Sequence, residues 1–202
     1  MNTRQQIDPN EHCKPLTLSW LPLTRERWSD FEKLFGAKGA CGGCWCMLWR
    51  LKRSQFEHQK GEGNRRAMQS IVESGQIPGI LGFIGQAPVA WCSVAPREAF
   101  PALERSRILR RVDDRPVWSI SCFFVHKDHR GKGVSTCMAA AAVDYVRANA
   151  GSLVEAYPVE PKKGRTAPAF AWTGLASAFR TAGYTECARR SETRPIMRYR
   201  IT

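Results

Sequence analysis

The chain has 202 residues, 43% of them hydrophobic, and carries 31 Lys and Arg against 18 Asp and Glu, a formal net charge of +13. That length suits one domain with a real core, no apolar run approaches the ~18 residues of a membrane span, and the opening MNTRQQIDPNEH has no signal-peptide core, so a cytoplasmic enzyme is expected. The charge favours a polyanion, whether a phosphate-bearing cofactor, nucleic acid or an acidic acceptor, while the plain alternative is a solvated basic surface.

Leu16 to Leu23 alternates in character between prolines and reads as a first strand. Thr24 is placed to cap a helix to about Phe35, with Trp28, Phe31, Leu34 and Phe35 on one face and Gly36 as its stop. Next comes Cys41-Gly-Gly-Cys44-Trp45-Cys46-Met47-Leu48-Trp49-Arg50. A C-x-x-C-x-C arrangement can chelate zinc or an iron–sulfur cluster, with His58 or Cys13 as fourth ligand, but no second knuckle follows. Cys41 and Cys44 also suit a redox pair. The third reading is a Gly-containing loop whose Trp45, Met47, Leu48 and Trp49 pack over a sheet or line an acceptor pocket. With eight cysteines, no signal peptide and this length, a disulfide framework is not expected, and most thiols should be reduced.

Lys52 to Gly63 is polar and reads as loop or frayed helix. Asn64 is placed to cap a helix through Ser74, with Ala67, Met68, Ile71 and Val72 on one face and Gly75 ending it. Gly79 to Ile84 and Ala87 to Val94 form a hairpin through Gly85-Gln86, a turn that needs a glycine first. The link from Ala95 to Pro116 is long, with six Arg and four acidic residues. Phe100, Leu103, Ile108 and Leu109 suggest a short helix within it. It is either a lid over the acceptor or a surface insertion held by its own ion pairs.

Val117 to Val125 is a strand rich in β-branched and aromatic residues. His126 to Gly133 turns polar. From Val134 the apolar positions Val134, Cys137, Met138, Ala141, Ala142, Tyr145 and Val146 follow a helical period. A strand, a glycine turn and a helix start make an anion site, because the first-turn N–H groups are unpaired and carry the positive end of the dipole. Gly131 and Gly133 remove side chains that would block approach, and Arg130 and Lys132 add charge.

Arg130-Gly131-Lys132-Gly133-Val134-Ser135, entered from Phe123-Phe124-Val125, resembles the acetyl-CoA signature R/Q-x-x-G-x-G/A of the GNAT N-acetyltransferase superfamily, with Ser135 in the last small position. It lacks the Lys-Ser or Lys-Thr of a P-loop and the third glycine of a dinucleotide fingerprint. Leu153 to Tyr157, a polar linker from Pro158 to Pro168, a helix marked by Trp172, Leu175, Ala176, Phe179 and Ala182, and strands at Tyr184 to Arg190 and Pro195 to Ile201 match the second half of that family. The Cys-Trp-Cys-Met stretch resembles uncharacterised bacterial members of it.

The resemblance implies one domain over 1–202, with a core at 79–201, N-terminal elements at 1–78 and an insertion at 95–116. It implies an α/β (α+β) fold with a single mixed, mostly antiparallel sheet flanked by helices. Acetyl-CoA or CoA would be the cosubstrate and an amine the acceptor. Backbone groups of Phe123, Phe124 and Val125 would pair with the pantetheine arm, and amides of Arg130, Gly131, Lys132, Gly133, Val134 and Ser135 would hold the pyrophosphate. Many members place a Tyr four residues before the Gly-aromatic pair of the last helix to protonate the departing thiolate. Here that position is Phe179, a cofactor contact that cannot donate a proton.

Tyr157 is the replacement acid and Glu155, on an apolar strand, the first choice of base, with His126 and Glu160 behind it. The plain reading of Glu155 is a residue paired with an Arg. The competing function is a catalytically inactive CoA-sensing or nucleic-acid-binding module, motivated by Phe179 and the charge. Nucleic acid is allowed but not favoured, a homodimer is allowed, and no membrane partner or metal ligand set is assigned.

Overall fold

Seven strands form one sheet: β1 Leu18–Pro22, β2 Ile80–Ile84, β3 Ala87–Pro96, β4 Trp118–Val125, β5 Leu153–Ala156, β6 Thr185–Arg189 and β7 Pro195–Arg200. Their spatial order is β1-β2-β3-β4-β5-β7-β6. Only β4 and β5 pair in parallel; the other neighbours are antiparallel. The computed structural model describes residues 18–162 and 171–202. Leu16, Cys13 and the linker at 163–168 therefore lie outside the described residues. Helices α1 Trp28–Phe35, α2 Arg53–His58, α3 Glu62–Glu73, α4 Pro101–Glu104, α5 Val134–Ala148 and α6 Ala176–Thr181 complete the fold.

Alternation along the central strands divides the core between two faces. Ile80, Ala90, Cys92 and Val94 meet Met138, Ala142 and Val146 of α5 and Phe179 of α6. Leu81, Phe83 and Trp91 meet Phe31, Leu34 and Phe35 of α1, Met68 and Val72 of α3, and the loop residues Trp45, Cys46 and Met47. Gly82 lets α5 approach: a Cβ there would lie 2.5 Å from the Met138 sulfur.

Local expectations fail where a tertiary partner takes the group involved. Thr24 makes no cap bond; its hydroxyl instead accepts from the Arg27 guanidinium at 3.1 Å. Asn64 does not start its helix, which begins at Glu62 after Gly61. Its buried amide donates to the carbonyls of Gly43 (3.1 Å) and Phe56 (3.4 Å), tying the cysteine loop to α2. The polar 52–63 stretch contains α2, which buries Phe56. Trp172 precedes the last helix rather than lying on it.

The insertion is a buttress at the sheet, with Phe100, Leu103 and Leu109 packed on Tyr157 and Ile196. Its helix is a single short turn, α4.

Candidate functional site

In β4 the partner of Val94 is Ile120 and the partner of Ser93 is Cys122, so Ser121 is an extra residue. Such a bulge bends the strand that carries it. On the other side, pairing with β5 covers only Trp118, Ser119 and Ile120. Beyond Ile120 the two parallel strands part. A cavity of about 870 Å³ opens there.

One wall is the end of β4 and the start of α5: Phe123, Phe124, Val125, His129, Arg130, Gly131, Gly133, Val134, Ser135 and Thr136. The other wall is Ala40, Cys41, Cys44, Cys46, Leu48 and Trp49 of the cysteine loop, with Cys122 from β4. Ala171, Trp172, Gly174, Leu175 and Ala178 close it. Trp49 and Trp172 meet at 6.0 Å between ring centroids. No carboxylate is among the described lining residues.

The turn into α5 has the anion-site geometry. Gly131 and Gly133 have φ of 71° and 79°, a region strained for other residues. Cβ atoms built on them would meet nothing within 4 Å, so the turn is open on that side. Backbone bonding stops at Arg130 N–H to Lys127 O (3.4 Å) and resumes at Thr136 N–H to Gly133 O (2.9 Å). No side chain caps the helix. Arg130 turns its Nε–H back to the Val125 carbonyl at 2.9 Å. Lys132 is exposed and does not line the cavity.

Two of the expected cofactor contacts need correction. Phe179 is 1% exposed and stands behind the lining, edge-on to Phe123 at 5.4 Å and to Tyr184 at 5.1 Å. The Phe123 N–H is already donated to the Trp172 carbonyl at 2.6 Å. Trp172 and Leu175 fit the helical pattern of the last helix but line the cavity ahead of it, whereas the lining residues His129, Thr136 and Ala178 carry no sequence signal of their own.

Glu155 and Tyr157, expected as base and acid, stand together but outside the cavity lining. Glu155 accepts from Arg97 at 3.0 Å and from Arg198 Nε at 2.8 Å. The Tyr157 hydroxyl donates to Glu155 at 2.7 Å and accepts from Arg97 and, at 2.8 Å, from the Ser119 hydroxyl. Burial first, then the Glu155 charge, pushes the phenol well up. Arg97 also bonds Glu104 (2.6 Å) and the Leu109 carbonyl (2.9 Å), and Arg198 bonds Asp113 (2.7 Å). This network staples the insertion to β5 and β7. A carboxylate gripped by two guanidiniums and a phenol has no lone pair turned to a substrate, and no insertion residue lines the cavity.

The runners-up fare no better as bases. Glu160 pairs with Arg180 and Arg189, whose hydrogen bonds hold its carboxyl below the usual range. His126 lies 3.5 Å from Asp128 on the exposed turn. Among the described residues, no group of three or more His, Cys, Asp or Glu is placed to hold a metal ion, and no helix is long and apolar enough to cross a membrane.

A family model described as the acetyltransferase (GNAT) family matches residues 45–164, more than half of the chain. Several solved structures share the fold. A GNAT-family acetyltransferase from Streptococcus agalactiae superposes with a TM-score of 0.55 at 11% identity, over 92% of this chain and 96% of that one. Aminoglycoside acetyltransferase AAC(6')-Ib, solved with coenzyme A and kanamycin, gives 0.55 at 10% identity over 91% and 95%. The paia N-acetyltransferase of Thermoplasma acidophilum, solved with coenzyme A, gives 0.51 at 9% identity over 92% and 100%. At such identities the likeness is one of fold. No curated protein is significantly similar in sequence.

Proposed function

The chain belongs to the acetyltransferase (GNAT) family, and from that premise we propose that it transfers an acetyl group from acetyl-CoA to a primary amine of a small molecule or peptide. The observation that carries the proposal is the open amide turn of Gly131 to Ser135, set on the rim of a cavity made by the parting of β4 and β5.

The amides of Gly131 to Ser135 hold the pyrophosphate, with Arg130 and Lys132 adding charge. Acetyl-CoA supplies the activated acetyl thioester. The β4 edge beyond the Phe123 N–H runs beside the pantetheine arm, and Phe179 supports Phe123 from behind. Trp49, Trp172, Leu48 and Phe124 exclude bulk water and orient the amine against the carbonyl, so positioning supplies much of the rate. The neutral amine attacks the acetyl carbonyl directly, and the C–N bond forms as the thioester C–S bond breaks. The amine proton passes through water in the cavity, whose described lining has no carboxylate or tyrosine, to the departing thiolate. Glu155 and Tyr157 are positioning residues: they hold β5 where it parts from β4.

Calorimetric titration with acetyl-CoA and CoA tests the reading. Wild-type protein should bind both, and Gly133→Glu should bind neither, because a carboxylate then fills the anion site. No binding by wild type would overturn it. Phe179 at the position of the usual proton donor favours a second reading, a CoA-binding module without catalysis. Binding without turnover across an amine panel would select that one.

A further inference from the structure

The cysteine loop brings thiols to the cavity that acetyl transfer by direct attack does not use. Cys44, Cys46 and Cys122 all line it. The loop is held in an uncommon conformation, with Trp45 at φ 42° and Cys46 at φ 60°. Trp45 stacks on Phe35 at 5.6 Å and the Cys44 thiol donates to the Gly39 carbonyl at 3.5 Å. The sulfur of Cys46 is thereby fixed among donors. The indole N–H of Trp91 points at it from 3.2 Å, and the Cys122 thiol, which also reaches the Phe123 carbonyl at 3.8 Å, interacts with it from β4.

Arg50 supplies the charge. It donates to the Pro78 carbonyl at 2.8 Å and lies 3.4 Å from the Ser93 hydroxyl, its guanidinium sits 4.4 Å from the centre of the Phe100 ring, and its Nε is buried without a partner. Among the described residues no carboxylate pairs with it, and the ionisable groups acting on it are Cys46 and Cys122. Burial brings Arg50 down to about 10, which still leaves it a cation at neutral pH. A buried cation calls for a countercharge.

Burial alone would push the Cys46 thiol up, but the bonds from Cys122 and Trp91, the Arg50 charge and the Ser93 hydroxyl more than offset it. Its hydrogen bond to Cys46, then burial, pushes Cys122 well up. Burial, with the Cys46 charge, likewise raises Cys44 and Cys92. A thiolate-favouring sulfur and a thiol therefore stand side by side in a cavity wall.

We propose that Cys46 and Cys122 are a reactive thiol pair, a modification site for small two-electron oxidants of the peroxide class that enter through the cavity. The Cys46 thiolate attacks one peroxide oxygen: an S–O bond forms, the O–O bond breaks, and the leaving hydroxide takes a proton to become water. Cys46 is oxidised to the sulfenic acid and the peroxide is reduced. Cys122 then gives up its proton and attacks the Cys46 sulfur; the S–S bond forms, the S–O bond breaks, and a second water leaves. In the Cys41–Cys44 pair suggested by C-x-x-C spacing, Cys44 donates its thiol to the Gly39 carbonyl and burial disfavours its thiolate, so that pair is not the proposed site.

The test uses the full chain, reduced and freed of reductant, exposed to hydrogen peroxide, with disulfides mapped by peptide mass spectrometry. The expected product is a Cys46–Cys122 cross-link. In Cys122→Ser, dimedone should trap the sulfenic acid at Cys46, and in Cys46→Ser no sulfenic acid should form at Cys122. Circular dichroism certifies that each variant is folded. A cross-link between Cys41 and Cys44, or a Cys46 that reacts no faster than the exposed Cys187, overturns the proposal. Neither readout depends on acetyl transfer, so this proposal and the enzymatic one can fail separately.

Discussion

The backbone N–H of Phe123 is donated to the carbonyl of Trp172 at 2.6 Å, across the opening where β4 and β5 part. The loop before α6 thus occupies the strand edge along which a pantetheine arm would run. The same loop carries the Trp172 ring against Trp49 at 6.0 Å, and Arg194 lies 5.9 Å from that ring. Cofactor entry must therefore change the surroundings of Trp172. Addition of CoA should shift the tryptophan emission, and Trp172→Phe should remove most of that shift while calorimetry still records binding.

Glu155 is the keystone of the buried network, accepting from Arg97 at 3.0 Å and from Arg198 at 2.8 Å. Removing it takes away the one buried carboxylate the two guanidiniums share, leaving Arg97 to Glu104 and Arg198 to Asp113 nearer the surface. Glu155→Ala should lower folding stability by about 1.5–3 kcal/mol, the worth of buried hydrogen bonds to a charged group, read by urea unfolding. Acetyl-CoA affinity of the folded variant should be unchanged, because Glu155 does not line the cavity. Unchanged stability with abolished turnover would instead restore it as the base.

Acid should weaken the molecule in a defined window. Bonds from Arg198 and Arg115 hold the Asp113 carboxyl well below its ordinary value, and Arg189 does the same for Glu186. Folded-state values below the unfolded ones of about 3.9 for Asp and 4.3 for Glu mean that the unfolded chain binds protons more readily. The stabilisation is complete above those values and is lost as pH falls through the folded ones. Urea midpoints should be steady down to about pH 5 and fall below about pH 4. Added salt should shrink the effect, since these carboxylates are exposed enough to be screened.

The cavity wall that the proposed acceptor would meet is aromatic and thiol-bearing, and His129 and Arg130 are the basic side chains of the described lining. Among the described lining residues no carboxylate offers a countercharge to a polycation, and the Cys46 sulfur is already matched with Arg50. An arylalkylamine such as tryptamine should exceed kanamycin in kcat/KM by about tenfold or more, the factor that ~1.4 kcal/mol of unpaired charge produces. Equal rates would show that residues beyond the described lining recognise the acceptor.

Much of the fold was legible because it is written locally. The period of Val134 to Val146 made α5, and Gly85 at φ 58° made the hairpin turn. Gly131 and Gly133 marked the anion turn by the backbone that only glycine adopts without strain. Asn64 shows the limit: it is a good capping residue by type, but its amide is worth more bonded across the fold to Gly43 and Phe56. Trp172 and Phe179 fit one helical stripe on paper, yet one lines the cavity and the other backs it.

By itself the sequence determined the strands, most of the helices and the glycine turn into α5, since periodicity, glycine conformation and apolar pattern act between near neighbours. Only the tertiary structure decided the chemistry of the charged and thiol groups. Glu155 meets Arg97 and Arg198 from 58 and 43 residues away, and Cys46 receives the Trp91 indole from 45 residues away. Those encounters are set by strand order and by the bulge at Ser121, which fix what each ionisable group is buried against, and hence whether it is a base, a strut or a reactive sulfur.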